Sequence, residues 1–297
     1  MSWFTVVPLV IMLTLGTVLG RVPLRLHPCW SARLLATTCA MTVVAALGTG
    51  VFVSINYAAT LAPAAAARVP EWALFGDDRP VPDVVGVPAV LLTAAGLLVI
   101  GRTAVGWMAE LRIAQEQTRE LLETDIPIAV AVPGRHGGVL LSQGMLRGFT
   151  AEELHVVFQH EASHLRHRHH RYTACGALVA AVLPPLRPLH ERLRLSVERW
   201  ADEEAAEAVG DRAFVARTIA KAALAQPLST GPAAPFAESG VVQRVQALLG
   251  MPPDRNAVTG PLLFMGNGFV TSSLTGATLQ LDHAAAAAGL LPLLALG

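Results

Sequence analysis

Three stretches in the first third of the chain run without a charge: residues 3–20, 34–61 and 84–101. At 1.5 Å per helical residue each is long enough to cross the roughly 30 Å hydrocarbon layer of a bilayer. Trp3, Trp30 and Trp107 fall near the ends of these runs, where indoles favour the membrane interface. A cleaved signal peptide fits residues 3–20 less well, because no basic residue precedes the run and no small-residue cleavage site closes it. A weaker run, 258–281, is diluted by Asn267, Thr271, Ser272 and Ser273 and reads as a fourth span.

Between the third and fourth runs the pattern changes to helical and strand periods. Residues 103–123 place Trp107, Leu111, Ala114 and Leu121 on one side of a helix leaving the membrane, stopped by Asp125 and Pro127. Ile126–Val132 and Val139–Ser142 read as two short strands joined by the turn at 133–138. Thr150 and Glu153 form a capping box ahead of Leu154, Val157, Phe158, Ala162 and Leu165, which recur at helical spacing. Residues 173–183 are apolar but too short to span, and Pro184-Pro185 interrupts them, so they read as a segment that enters the bilayer and turns back. A charged helix follows at 188–209, closed by Gly210. Then come a helix at 211–225, a loop at 227–240 and a short amphipathic helix, Val241–Leu249.

Composition strengthens the membrane reading. The chain is 53% hydrophobic and 15% charged, against about 25% charged for an ordinary soluble domain. Formal net charge is zero, which gives no general attraction to nucleic acid. Cys29, Cys39 and Cys175 are scattered and odd in number, so they suggest buried apolar residues rather than a disulfide framework. Arg21, Arg25 and Arg33 follow the first run without an acid, whereas Arg68 and Arg79 after the second face Glu71, Asp77, Asp78 and Asp83. The positive-inside rule then makes the first loop cytoplasmic, the amino terminus external and the segment after the third span cytoplasmic.

The chemistry concentrates at His160-Glu161-Ala162-Ser163-His164. Residues four apart share a helix face, so the two imidazoles can grip one metal ion while Glu161 reaches a water on it. The basic run Arg166–Arg171 after this motif suits a face near anionic headgroups better than a second metal site, since adjacent helical residues point apart. A catalytic zinc usually takes three protein ligands and leaves a fourth position for water. Glu191, Glu198, Asp202 and Glu203 are the downstream candidates; Glu198 and Asp202 share one face.

HEASHLRHRHH, then ERWADEEA, with GGVLLSQGML ahead of both, resembles the integral-membrane gluzincin peptidases. The likeness is greatest to the BlaR/MecR antirepressor-type family and more distant to the HtpX and CAAX prenyl endopeptidase group, and it covers about residues 100–255. It implies one zinc per chain held by His160, His164 and Glu198, Glu161 as general base, and Asp202 as the carboxylate that orients a liganding imidazole. It also implies a mainly α membrane protein of about four transmembrane helices. Residues 1–101 hold three of them, 102–256 form a cytoplasm-facing zincin-like domain of helices and a small β-hairpin, and 257–297 hold the fourth helix and an apolar tail. The BlaR/MecR receptors carry an external penicillin-binding domain after the last span. This sequence has none, so β-lactam sensing is not expected of this chain alone.

The expected activity is a membrane-embedded zinc endopeptidase acting on a protein or peptide, such as a cytoplasmic repressor, in the plasma membrane. Tyr172, His167 and the arginines near the motif are candidates for stabilising the oxyanion. The alternatives are a non-catalytic zinc-binding signalling or scaffold protein and a housekeeping protease of membrane-protein quality control. Three ligands and an adjacent glutamate suit catalysis better than a structural site, which is usually closed by four.

Overall fold

The described part of the apolar first third of the chain folds as helices, whose backbone amides and carbonyls bond within the chain. The computed structural model describes residues 6–68, 80–117, 121–134, 137–225 and 234–267, which are mostly helical. The first helices are α1 (Val7–Arg21), α2 (Pro28–Leu61), the one-turn α3 (Pro63–Ala66) and α4 (Asp83–Gln117). Thr38, Thr42, Ser54 and Thr60 donate their hydroxyls to carbonyls four residues back in α2, at 2.7–2.9 Å. Their polar groups are thereby satisfied within the helix itself.

Among the described residues, α2 and α4 are long and apolar enough to cross a membrane. Only 22% and 11% of their apolar windows are buried, so most of that surface faces outward. The other two expected spans differ. Helix α1 has 15 residues, about 22 Å, and residues 3–5 of the expected span lie outside the described residues. The run 258–281 is helical over 259–267, and the rest lies outside the described residues. The expected separate helices 84–101 and 103–123 are one rod, α4, unbroken across residue 101. Residue 122 is no longer helical: the Leu122 carbonyl accepts from Gln143 N and its amide donates to Leu141 O, which ties it to a strand end.

That strand belongs to an antiparallel hairpin, β1 (Ala129–Val132) and β2 (Gly138–Leu141), with Ala129 opposite Leu141. Buried Ser142 organises its base. Its Oγ accepts from Ile128 N and Met145 N and donates to Ile126 O, so one hydroxyl fixes the strand entry and caps α5 (Gln143–Gly148).

The next three helices carry the chemistry. The expected capping box starts α6 (Ala151–Arg166): Thr150 Oγ accepts from Glu153 N, and Glu153 Oε2 accepts from Thr150 N at 2.8 Å. Helix α7 (His169–Val182) packs along α2, turns through a short 3-10 segment at Pro184–Leu186, and α8 (Arg187–Val209) returns beside it. This turn packs against α1. A Cβ at Gly20 would sit 2.9 Å from Leu189 N and 3.2 Å from its Cα, so only glycine permits the backbones to approach so closely. Leu35, Cys39, Val179, Leu186, Leu189, Leu193, Val197 and Trp200 form the core joining α2, α7 and α8.

Gly210, at φ 78°, ends α8 in the left-handed conformation that a Cβ disfavours. Helix α9 (Arg212–Leu224) and α10 (Ala234–Leu249) then fold back on α8. The sequence pattern places a loop up to residue 240, but α10 begins at Ala234, because Pro235 falls in the first turn, where a missing N–H leaves no bond unmade. Arg212 fastens the other end: it donates to the Ala247 and Leu248 carbonyls, at 3.0 and 3.1 Å, and pairs with buried Glu203.

Candidate metal centre

The geometry starts from the crossing of α6 and α8. His160 and His164, one turn apart on α6, place their Nε2 atoms 3.1 Å from one another. Glu198 on α8 brings Oε2 to 3.5 Å from His160 Nε2 and Oε1 to 3.8 Å from His164 Nε2. Two donors each about 2.0–2.1 Å from a tetrahedral ion lie about 3.4 Å apart, so the three separations suit a single zinc-sized ion. All three donor atoms fall within 4.8 Å of one another. The histidine side chains are 12% and 17% exposed and Glu198 36%, so the cluster opens on the Glu198 side.

Behind the cluster each imidazole has a close polar neighbour at its other nitrogen, hydrogen-bonded for His164 and in ion-pair contact outside hydrogen-bond geometry for His160. Asp202 Oδ1 lies 3.0 Å from His160 Nδ1. One turn of α8 separates Asp202 from Glu198, which places both carboxylates on the face toward α6. His164 Nδ1 lies 3.0 Å from Nδ1 of buried His169. The two Nε2 atoms face one another on the side away from these neighbours. Glu161 sits beside the first histidine, and its Oε2 accepts from Ala131 N of β1 at 2.8 Å. That amide points away from β2, so the free edge of the hairpin borders the cluster.

A cation from α10 completes the arrangement. Arg244 donates through Nε and a terminal nitrogen to both oxygens of Asp202, each at 2.7 Å, and a further nitrogen lies 3.1 Å from Glu198 Oε2. This pairing decides the charge states of the metal-free protein. Burial opposes ionisation of Asp202 and Glu198, but Arg244 and His160 outweigh it and hold both carboxyls below their usual range. Burial also disfavours the imidazolium of His160, yet the Asp202 and Glu198 carboxylates raise its pKa to about 10. His164 goes the other way, to about 4, through burial and then the neighbouring His160 charge. Burial pushes the Glu161 carboxyl up.

The remaining α8 acids lie outside the cluster. Glu191 is exposed and outside the cluster; Glu203 is buried but pairs with Arg212. Glu204 accepts from Trp200 Nε1 and Arg166, and lies 2.5 Å from His167 Nε2. His167 is thus engaged away from the two metal-facing imidazoles, and Tyr172 stands edge-on to Trp200 and His169. The 166–171 run is therefore no simple basic face. Arg168 adopts φ 55°, and the turn there carries His169 into the interior beneath His164.

Sequence reasoning missed Arg244 and His169. Arg244 has no motif: it sits on a short amphipathic helix, 42 residues beyond the aspartate it holds. The one available signal is charge balance, since α8 carries more carboxylates than two histidines can neutralise. His169 is hidden by a left-handed residue that no periodicity predicts.

Two histidines on one helix, a glutamate from a second and a carboxylate beside the first histidine are the residue types that a metallopeptidase needs to hold its metal and activate a water. Residues 101–185 match the model of Peptidase family M48. The match spans 85 of the 297 residues, including His160, Glu161 and His164, and ends before Glu198. It supports an M48-family metallopeptidase. Searches of curated proteins and of solved structures gave no match.

Proposed function

We propose that the chain is a membrane-embedded zinc endopeptidase with a cytoplasm-facing site. The observation that carries this is the convergence of His160, His164 and Glu198, with Asp202 and Glu161 in place around them. Bound there, zinc supplies Lewis acidity, polarising a carbonyl and lowering the pKa of a coordinated water to about 7. Glu161 takes the proton of the attacking water and delivers it to the leaving amine. Its buried environment, which raises its affinity for a proton, suits both halves of that transfer. Asp202, fixed by Arg244, keeps the His160 ring in one tautomer, and His169 does the same for His164. The free edge of β1 holds an extended peptide by backbone hydrogen bonds across the opening.

Packing and charge together support the cytoplasmic placement. Arg192 of α8 donates to the Val22 carbonyl at 2.8 Å, in the basic loop after α1. Positive-inside charge puts that loop in the cytoplasm, and Glu198 lies less than two turns further along α8. The α7–α8 hairpin then dips into the bilayer beside α1 and returns. The likeness to the BlaR/MecR type suggests a cytoplasmic repressor as substrate. The test is Glu161→Gln in the purified protein: zinc stays bound while peptide cleavage falls about 10²–10⁴-fold. Unchanged cleavage by that variant would remove Glu161 from the mechanism.

A further inference from the structure

A second site lies on the far side of Trp200 from the metal cluster. Helices α2 and α7 and the helical segment 259–267 line an open groove of about 650 Å³, within the ~300–1,000 Å³ of ordinary ligand sites. Its walls are largely apolar, with Ala36, Ala40 and Met41 on one side and Phe264 on another, and no acidic residue lines it. Two cations do, Arg33 and Arg171. Arg33 lies over the Trp30 ring at 4.5 Å and 5.1 Å from the Trp200 centroid. Neither arginine makes an ion pair or a side-chain hydrogen bond among the described residues. Two guanidiniums with no acidic partner among the described residues, beside an apolar groove, are complementary to an amphiphile with an anionic head.

Position narrows the ligand further. Arg33 stands near the start of α2, just after the basic loop, at headgroup level in the proposed orientation. From Arg33 the α2 wall continues through Met41, eight residues and about 12 Å further into the bilayer. That depth is most of one leaflet's share of a ~30 Å hydrocarbon layer. We infer that this groove binds one anionic phospholipid, its phosphate between Arg33 and Arg171 and an acyl chain along Ala36, Ala40 and Met41. The bound head would share Arg33 with Trp200, whose ring meets His169 at 4.7 Å, so the lipid site adjoins the support of the metal centre. The inference rests on the membrane setting proposed above and is independent of the peptidase chemistry.

The test uses the full chain, purified in detergent and titrated by native mass spectrometry with dioleoyl phosphatidylglycerol, dioleoyl phosphatidylcholine and inorganic phosphate in turn. One phosphatidylglycerol per chain should be retained in preference to phosphatidylcholine, with phosphate alone binding far more weakly. Arg33→Gln and Arg171→Gln should each weaken retention about fivefold, and the pair about 25-fold. Ala40→Phe, which fills the apolar arm and leaves both arginines, should abolish it. Equal retention of the two lipids, phosphate binding as tight as the lipid, or indifference to the arginine pair and to Ala40→Phe would each overturn the inference. Zinc content read on the same samples reports the metal centre separately, so a failure of either claim is distinguishable from a failure of the other.

Discussion

The face of α8 that meets α6 and the outer surface of α4 solve opposite problems. On α8, Glu198, Asp202, Glu203 and Glu204 are all paired with an arginine, a histidine or both, and the pairs interlock. On α4, Leu91, Leu92, Leu98 and Val105 stand mostly exposed among the described residues. The first region needs its partners, because an ionised group out of water is tolerated only when compensated. The second needs none in the proposed membrane setting, where hydrocarbon would cover it. The difference teaches where substitutions should matter: loss of a partner is costly on α8, and loss of a methyl group is cheap on α4.

The largest effect is expected at Arg244. Arg244→Met removes the bidentate partner of Asp202, 2% exposed, and leaves it only His160; it should cost about 3–5 kcal/mol. Asp202→Asn in the same chain should recover part of that loss, as read by thermal unfolding in detergent. A matched pair sharpens the contrast directly. Leu193→Ala, in the fully buried core of α8, should cost about 2–5 kcal/mol, whereas Leu92→Ala on α4, 73% exposed, should stay within about 0.5 kcal/mol. Equal losses at the two positions would mean that α4 is covered by protein rather than by lipid.

Smaller effects probe the supports of the centre. His169→Ala should weaken zinc binding about 10–100-fold, and His169→Asn, which keeps a polar atom near Nδ1, should recover much of it. The proton balance is equally specific. With the His160 pKa near 10 and that of His164 near 4, the metal-free site at neutral pH holds a proton on the first histidine and none on the second. Zinc requires both neutral, so binding should release about one proton and tighten about tenfold per pH unit between about 5 and 9. Calorimetry in buffers of different ionisation enthalpy counts that proton. At the small end, Thr150→Ala removes one half of the capping box and should cost about 1 kcal/mol.

What was legible in the sequence was what spacing and local chemistry dictate. His160, Glu161 and His164 are one motif on one helix, and Thr150, Glu153 and Gly210 mark helix ends through bonds and dihedrals within a few residues of themselves. The strand pair was readable from its apolar runs and turn. The rest depends on contacts remote in sequence. Four carboxylates on one helix could not be sorted without α10, because Arg244 selects Asp202 and Glu198 while Arg212 takes Glu203. The continuity of α4 was hidden because charge begins at Arg102, where the surroundings change but the backbone does not.

The central claim is that His160, His164 and Glu198 hold one zinc. The most direct measurement is the zinc content of the detergent-purified chain, comparing wild type with Glu198→Ala and Glu191→Ala. The account predicts about one zinc per chain, lost in Glu198→Ala and kept in Glu191→Ala. A wild type without zinc, or zinc indifferent to Glu198, would contradict it.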